Sequence, residues 1–308
     1  MTDLILHHYE GSPFSEKVRL ILGYKGLAWR AVTVPVVMPK PDVVALTGGY
    51  RRTPFMQVGA DIYCDTALIA RLLEQRVPAP TLFPASAPLA PQLAQWADST
   101  LFWTVIPYTM QPAGLAQVFA GVPPDMVKAF AADRAPFVAG MKRQTAADAT
   151  VNLLAHAAAL DAQLADGRAF LFGAQASIAD FSVYHCIWYV HRGGTLAGIF
   201  APSKHLLAWF ARMKAFGHGT REPLDSAEAI AIAARSTAHA ATQVQPGLGF
   251  EAGQPVTVTP IDYGFDPVAG TLVGLSAAEV VLRRADERAG TLHVHFPRTG
   301  FQIKQEKT

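Results

Sequence analysis

The first third of the chain alternates short apolar runs with a helical pattern of apolar residues. Residues 4–6 form an apolar run that predicts a strand, and residues 29–34 form a second, β-rich run. Between them, apolar residues recur at the i, i+4, i+7 and i+8 positions of one helix face, namely at Phe14, Val18, Ile21 and Leu22. This order predicts a βαβ unit with parallel strands.

The next stretch predicts a β-hairpin followed by a second amphipathic helix. A short helix fits residues 41–46, after a loop held open by prolines. Residues 55–58 and 62–64 flank a glycine-containing turn, a pattern typical of a hairpin. A helix with an apolar face then begins at Asp65-Thr66. The order β, α, β, short helix, β, β, α predicts a mixed four-stranded sheet.

The pattern changes twice further along the chain. Prolines between residues 78 and 91 indicate a linker, and alanine-rich helical patterning follows. A further helix fits residues 227–242, and from residue 255 onward the period changes to two, which predicts a small antiparallel sheet or barrel. We therefore expect an α/β domain, an all-helical domain and a helix with a small antiparallel β extension, over residues 1–84, 85–222 and 223–308.

Composition narrows the range of partners. A net charge of +2 over 308 residues, without a basic run, argues against a nucleic-acid partner. The sequence shows no secretory signal pattern and no apolar stretch of membrane-spanning length, so we expect no membrane association and a cytoplasmic protein. The two cysteines, Cys64 and Cys186, have neither a CxxC nor a zinc-site spacing, which favours a reducing compartment.

The histidines do not predict a metal site. His7 and His8 are adjacent at the end of a strand, where neighbouring side chains point to opposite faces. His293 and His295 share one face of a predicted strand, but the pattern supplies no third ligand. We therefore expect no metal.

Two predicted helix starts combine a hydroxyl group with free backbone N–H groups. Ser12 is a favoured N-cap and Pro13 a favoured first helical residue, directly after the first strand. A helix N-terminus binds anions, and a thiolate is such an anion. Asp65-Thr66 opens the second helix in the same way, with a carboxylate available for an ammonium group. Ordinary capping explains both starts equally well on local evidence.

Three motifs in this order resemble the thioredoxin-like N-terminal domain of glutathione transferases over residues 4–83. Ser12-Pro13-Phe14 resembles the first helix start of the tau class, where serine faces the thiol of glutathione, and of the omega class, where cysteine replaces the serine. Thr53-Pro54 matches the cis-proline whose preceding residue binds the cysteinyl backbone of glutathione. Asp65-Thr66 corresponds to the pair that holds the γ-glutamyl group. Without the resemblance, a trans-proline at a strand start is the commoner arrangement.

The resemblance implies a set of site residues and partners. It favours Ser12 as the group that stabilises the thiolate, with Ser15 as the alternative, and it aligns His8 rather than Tyr9 with the tyrosine of other classes. Phe14 and Arg52 join the implied glutathione contacts. A helix after the linker is implied to line the co-substrate pocket and the contact between the subunits of a homodimer, with Phe102, Trp103 and Tyr108 as pocket residues. Aromatic residues at helical spacing are also common in an ordinary core.

The second half carries one specific local signal. Ser177 and Asp180 predict a capping box ahead of an apolar helix, and the helical domain of glutathione transferases has a similar pair in its core. The resemblance stops near residue 222. It implies a glutathione transferase-like enzyme that directs the thiolate of glutathione, its co-substrate, at a small apolar electrophile. A glutathione-dependent lyase, isomerase or dehalogenase, or a non-catalytic binding protein with this fold, remains an alternative.

Overall fold

The structure is a computed structural model, and it describes residues 3–306. The α/β domain has the predicted order of elements. Its bounds are β1 Ile5–His8, α1 Pro13–Tyr24, β2 Ala28–Thr33, α2 Pro41–Thr47, β3 Phe55–Val58, β4 Asp61–Cys64 and α3 Thr66–Arg76. Strand β1 pairs in parallel with β2 and antiparallel with β3, which confirms the mixed sheet. The Thr53–Pro54 peptide is cis, as the resemblance implied.

The helical domain follows the proline-rich linker. Its helices are α4 Ala90–Trp96, α5 Phe102–Thr109, α6 Pro112–Val118, α7 Pro124–Arg134, α8 Ala146–Leu164, α9 Ile178–Arg192 and α10 Lys204–Lys214. A π-helical turn, Ala97–Leu101, joins α4 to α5. Ser177 and Asp180 form the predicted capping box at the start of α9, and the buried carboxylate of Asp180 also accepts from Trp209 Nε1 at 2.9 Å. In residues 3–306, no helix is both long and apolar enough to cross a membrane.

The last ninety residues are β-rich, as predicted, and their strands continue the sheet of the α/β domain. The elements are β5 Thr220–Pro223, α11 Ser226–Arg235, β6 Pro255–Pro260, β7 Val268–Leu275, β8 Glu279–Asp286, β9 Gly290–Pro297 and β10 Phe301–Gln305. Helix α11 ends at Arg235, seven residues before the predicted end at 242, and the predicted boundary at 222 falls inside β5. Strands β6 to β10 are antiparallel to one another.

One ten-stranded sheet therefore runs through the described chain, in the order β10-β6-β7-β8-β9-β4-β3-β1-β2-β5. Strand β9 pairs in parallel with β4, with Asp61 opposite His293 and Tyr63 opposite His295. Strand β5 pairs in parallel with β2 at the other edge. An unpaired edge strand exposes backbone N–H and C=O groups, and here the C-terminal residues cover both edges of the four-stranded sheet.

The side chains of β4 alternate between two cores. Tyr63 faces the core formed with α1, α3 and the helical domain. Ile62 and Cys64 face the opposite core, together with Val294 and Phe296 of β9 and with residues of α2 and α11. A sheet of about 50 residues is marginal alone, so this shared core accounts for its stability.

Candidate functional site

The hydroxyl of Ser12 lies where β1 ends and α1 begins. Ser12 has extended backbone angles and caps α1, and Pro13 occupies the first helical position, as the sequence predicts. Its Oγ accepts a hydrogen bond from the backbone N–H of Ser15 at 3.1 Å and donates to the carbonyl of Thr53 at 3.4 Å. The second bond is long, so the proton of the hydroxyl is weakly held.

Thr53 joins this helix start to the start of β3. It precedes the cis-proline, and the antiparallel pairing of β1 with β3 brings it beside Ser12. The hydroxyl of Thr53 is buried and has no hydrogen-bond partner within residues 3–306. Buried hydroxyls are normally paired, so a polar group of a ligand would complete this site.

The second predicted helix start has an unusual backbone. Asp65 has φ of 74°, the left-handed region that a non-glycine residue seldom adopts, and its Oδ1 accepts from the N–H of Ala67 at 2.9 Å. Burial raises the pKa of Asp65 above its ordinary value, although the Ala67 N–H and the nearby Arg52 and Lys17 act in the opposite direction. A bound ammonium group would offset that cost of burial.

Thr66 is oriented by a buried lysine. Lys17 Nζ donates to Thr66 Oγ1 at 3.0 Å and to Asp98 Oδ2 at 2.6 Å, and His185 Nε2 lies 2.9 Å from Asp98 Oδ1. The positive charge of Lys17 and the hydrogen bond with His185 lower the pKa of Asp98, against the effect of burial. This cluster connects α1, the π-helical turn and α9 behind the candidate γ-glutamyl site.

The sequence analysis missed Lys17, although the sequence holds a signal for it. Phe14, Lys17 and Ile21 lie at i, i+3 and i+7, on the face that was predicted to be apolar. A lysine on a buried helix face needs an anionic or hydrogen-bonding partner. Its partner, Asp98, is 81 positions away, and no local pattern identifies it.

Two cavities meet at these residues. The smaller, of about 530 Å³, is lined by Asp65, Thr66 and Pro54 and by charged residues of both signs. The larger, of about 990 Å³, is lined by Ser12, Phe102 and Trp103 and by many apolar side chains. Four residues line both cavities: Phe14, Arg52, Thr53 and Tyr263. These volumes suit small-molecule ligands.

The C-terminal extension reaches this site through the loop between β6 and β7. Arg52 Nη2 donates to Asp262 Oδ1 at 2.5 Å and to the carbonyl of Tyr263. The guanidinium of Arg52 lies 3.8 Å from the centroid of the Tyr263 ring, and that ring contacts Trp103 edge to face at 5.3 Å. Sequence reasoning missed Asp262 and Tyr263 because a loop 210 residues away leaves no trace in local patterns.

Two predicted site residues lie away from both cavities. Ser15 is fully buried inside α1, and its hydroxyl has no partner in the described part of the chain. Tyr108 is buried in the helical domain, where its hydroxyl donates to the carbonyl of Leu196 at 2.8 Å. Tyr108 lies about 120° around an ideal helix from Phe102, whereas Ile106, which lines the larger cavity, lies only about 40° from it.

Of the two residues considered at the end of β1, the structure places only Tyr9 at a cavity wall. His8 is buried beneath Arg19, whose Nη1 lies 3.1 Å from His8 Nδ1, and burial lowers the pKa of His8 to about 4. Tyr9, not His8, lines the larger cavity together with Ser12. Tyr9 is thus a second hydroxyl group whose role requires testing.

A cluster of metal-binding residue types lies apart from the cavities, at the β4–β9 junction. One ligand atom each from Asp61, His239 and His293 lies within 4.8 Å of the others, so the structure supplies the partners that the sequence pattern lacked. The rings of His239 and His293 are stacked at 3.8 Å. A nitrogen lone pair lies in the plane of its ring, so one ring would have to turn before both could bind one ion.

Comparisons with known proteins follow the same division of the chain. A model described as glutathione S-transferase, N-terminal domain, matches residues 6–81, and one described as glutathione S-transferase, C-terminal domain, matches residues 143–212. A GST-like protein from Pseudomonas syringae, known from its crystal structure, is 40% identical over 99% of this chain and 100% of its own, with a TM-score of 0.82. A search of curated proteins found no match.

Two further solved structures share the fold at low identity. A tau-class glutathione S-transferase from mango, Mangifera indica, is 14% identical over 69% of this chain and 89% of its own, with a TM-score of 0.51. Beta-etherase LigF from Sphingobium sp. strain SYK-6 is 18% identical over 70% of this chain and 96% of its own, with a TM-score of 0.52. These matches confirm the predicted thioredoxin-like and helical domains.

Proposed function

This chain belongs to the glutathione S-transferase family, and from that premise we propose that it activates the thiol of glutathione at Ser12. The γ-glutamyl and cysteinyl parts lie in the smaller cavity, and the sulfur points toward the larger cavity, where an electrophile binds. The observation that carries this proposal is the position of the Ser12 hydroxyl beside Thr53, which lines both cavities.

The smaller cavity has the charges that an amino-acid end group requires. Asp65 offers a carboxylate to the α-ammonium group, and Thr66 with the N-terminus of α3 offers donors to the α-carboxylate. The main chain of Thr53 pairs with the cysteinyl backbone. Phe14 and Pro54 supply apolar walls, and Arg52 supplies a cation where the cavities meet.

The reaction needs a thiolate near Ser12. When glutathione binds, its thiol proton passes to solvent. The Ser12 hydroxyl turns its hydrogen bond from the Thr53 carbonyl to the thiolate sulfur, while the Ser12 oxygen continues to cap α1 through the N–H of Ser15. The positive end of the α1 dipole acts on the same sulfur. Attack on the electrophile forms a carbon–sulfur bond, and the leaving group departs with its electron pair.

Glutathione binding and turnover test this proposal separately. Calorimetry measures the affinity for glutathione, and a panel of aryl halides, epoxides, aryl ethers and haloalkanes measures turnover. Turnover of ethers or haloalkanes alone would favour the lyase or dehalogenase alternative. Binding without any turnover would favour a non-catalytic protein, and absence of glutathione binding would refute the proposal.

Two expectations about the assembled protein also remain proposals. The family resemblance implies a homodimer, in which the thioredoxin-like domain packs on the partner's helical domain. Sedimentation at micromolar concentration tests this, and a monomer would contradict it. Fractionation of cells tests the cytoplasmic location that we expect from the sequence.

A further inference from the structure

The two cavities differ in the sign of the charges that line them. The smaller cavity has acidic residues, including Asp65 and Asp98, as well as basic ones. The larger cavity has four arginines and no carboxylate among its lining residues, and most of the remaining wall is apolar or aromatic. The arginines are Arg51, Arg52, Arg134 and Arg143.

We infer that the co-substrate taken into the larger cavity carries a carboxylate, or a similar anionic group, on an aromatic or other apolar body. This inference rests on the proposed function only in identifying this cavity as the co-substrate site. It replaces the purely apolar electrophile that the sequence analysis expected. An apolar body fits the aromatic walls, and the anion fits the arginines.

Arg51 and Arg134 share one counter-ion. Arg51 Nη2 lies 2.8 Å from Asp133 Oδ1, and Arg134 Nη1 binds the other oxygen of the same carboxylate. The second carboxylate near Arg51, that of Asp266, is 4.0 Å away and about half-exposed. The side chain of Asp133 is only 8% exposed and does not line the cavity, so a partly uncompensated positive charge faces the ligand.

These guanidinium groups are also held in place before a ligand binds. Arg51 lies 4.4 Å from the centroid of the Phe137 ring, and Arg134 lies 4.7 Å from that of Phe130. Arg134 Nη2 donates to the carbonyl of Val36 at 2.9 Å. The Nε of Arg51 is buried without a hydrogen-bond partner in the described residues. Fixed donors with unused capacity favour a carboxylate, which accepts hydrogen bonds from a guanidinium in pairs.

Arg143 and Arg52 have different surroundings. Arg143 is exposed and forms no ion pair within residues 3–306, so its positive charge on the cavity wall is not compensated. For the same reason, replacing Arg143 breaks no ion pair. Arg52 is bound to Asp262 and lines both cavities. We therefore assign Arg52 to glutathione and the other three arginines to the co-substrate.

The arginines of the larger cavity could instead bind the glycyl carboxylate of glutathione. The test therefore distinguishes a carboxylate on the co-substrate from the carboxylate of glutathione. The probes are 4-chloro-3-nitrobenzoate and its neutral amide, which have the same ring, leaving group and nearly the same shape. Calorimetry measures the affinity of each probe, with and without S-methylglutathione, which has no free thiol and cannot react. Glutathione affinity is measured in the same variants.

Wild-type protein should bind the acid about tenfold more tightly than the amide, as expected for a charge-assisted hydrogen bond. Arg143→Gln and Arg134→Gln should each lose most of this preference, without weakening the amide or glutathione more than about twofold. Arg168→Gln is the control, since Arg168 is about one-third exposed, pairs with Asp166 and lines neither cavity, and it should keep the preference. The preference should also fall with added salt.

Equal binding of the two probes to wild type, or no binding of the acid, overturns the inference. Weaker glutathione binding in the arginine variants with an unchanged acid preference overturns it in favour of the glycyl carboxylate. Titration of the probes without a thiol ligand separates this inference from the proposed function. In that titration the preference for the acid can persist even if the protein does not bind glutathione, and in that case only the proposed function fails.

Discussion

Replacement of Ser12 by alanine tests the mechanism most directly. The change removes the hydroxyl that we propose to donate to the glutathione sulfur and leaves the backbone of the site in place. A hydrogen bond to a charged group contributes about 1.5–3 kcal/mol. To form this bond, wild type must break the 3.4 Å hydrogen bond from Ser12 to the Thr53 carbonyl. Breaking so long a hydrogen bond costs about 0.5 kcal/mol. The net stabilisation of the thiolate is about 1–2.5 kcal/mol.

This energy predicts a pKa shift of about one unit, because one unit corresponds to about 1.4 kcal/mol. Ser12→Ala should raise the pKa of the bound thiol by that amount, seen in the ultraviolet absorbance of the thiolate. The rising limb of kcat/KM for the electrophile, measured against pH at saturating glutathione, should move to higher pH by the same amount. At pH values below the thiol pKa of both proteins, Ser12→Ala should be about tenfold less active than wild type. At pH values above both pKa values, the activities of the two proteins should converge.

Two controls separate the donor role from capping and from neighbouring hydroxyls. Loss of the Ser12 cap should cost about 1 kcal/mol of unfolding free energy, so urea unfolding is measured for each variant. Ser15→Ala removes a buried hydroxyl without a partner in the described chain, and it should be neutral or slightly stabilising, with an unshifted thiolate titration. Tyr9→Phe should also leave the titration unchanged.

The reasoning would be refuted by an unshifted titration in Ser12→Ala. A shift in Tyr9→Phe alone would assign the donor to the tyrosine beside Ser12, and a shift in Ser15→Ala alone would require the buried hydroxyl to turn into the cavity. Equal loss of activity at every pH in Ser12→Ala, without a pKa shift, would indicate a positioning role instead.

Three further predictions follow from the surroundings of the site. Asp65→Asn should weaken glutathione binding by about tenfold with little change in kcat, because the contact that we propose for Asp65 is with the α-ammonium group, far from the sulfur. An analogue without the α-amino group should bind wild type and variant equally, and unequal binding would contradict the assignment. Asp262→Asn should raise KM for glutathione a few-fold, since Arg52 loses the carboxylate that holds it, and an unchanged KM would show that the loop does not position Arg52. At the β4–β9 junction, burial of His295 lowers its pKa, but hydrogen bonds with Asp61 and Glu279 outweigh this effect and raise the pKa above 6.5. The charged form of His295 therefore stabilises the fold below pH 6.5. That stabilisation is lost as the pH rises through the raised pKa of the folded state. Urea unfolding of wild type and His295→Gln at about pH 6 and 8 should therefore show a smaller loss in the variant, and equal losses would exclude this role.

The parts of the site predicted from the sequence are those with local signals. Ser12 and Asp65 cap helices through their own side chains, whereas the cis peptide of Thr53-Pro54, directly before β3, was implied by the family resemblance. Such signals depend on a few neighbouring residues, so they survive without knowledge of the tertiary structure. The aromatic residues of α5 needed one further step, the angle around the helix, which separates Phe102 from Tyr108.

The rest depends on contacts between distant parts of the chain. Lys17 meets Asp98, Arg52 meets Asp262, and Asp61 meets His239 and His295, at separations of 81 to 234 positions. Lys17 meets Asp98 because α1 packs against the helical domain. The contacts of Arg52 and Asp61 with the C-terminal residues exist because the ten strands form one sheet, and strand order is not encoded in the alternation of any single strand. The histidine pair on β9 therefore showed no third partner in the sequence.

The C-terminal extension is an integral part of this transferase fold. Its strand β9 covers the edge of β4, and Val294 and Phe296 share a core with Ile62, so removing it would expose both backbone and apolar surface. The same chain segment supplies Asp262 and Tyr263 to the two cavities. Because the loop that carries them leaves the sheet directly after β6 and returns directly at β7, the pairing that stabilises the extension also fixes the position of the Tyr263 ring. The stability of the extension and the shape of the site are therefore coupled, and a change in either should be measurable in the other.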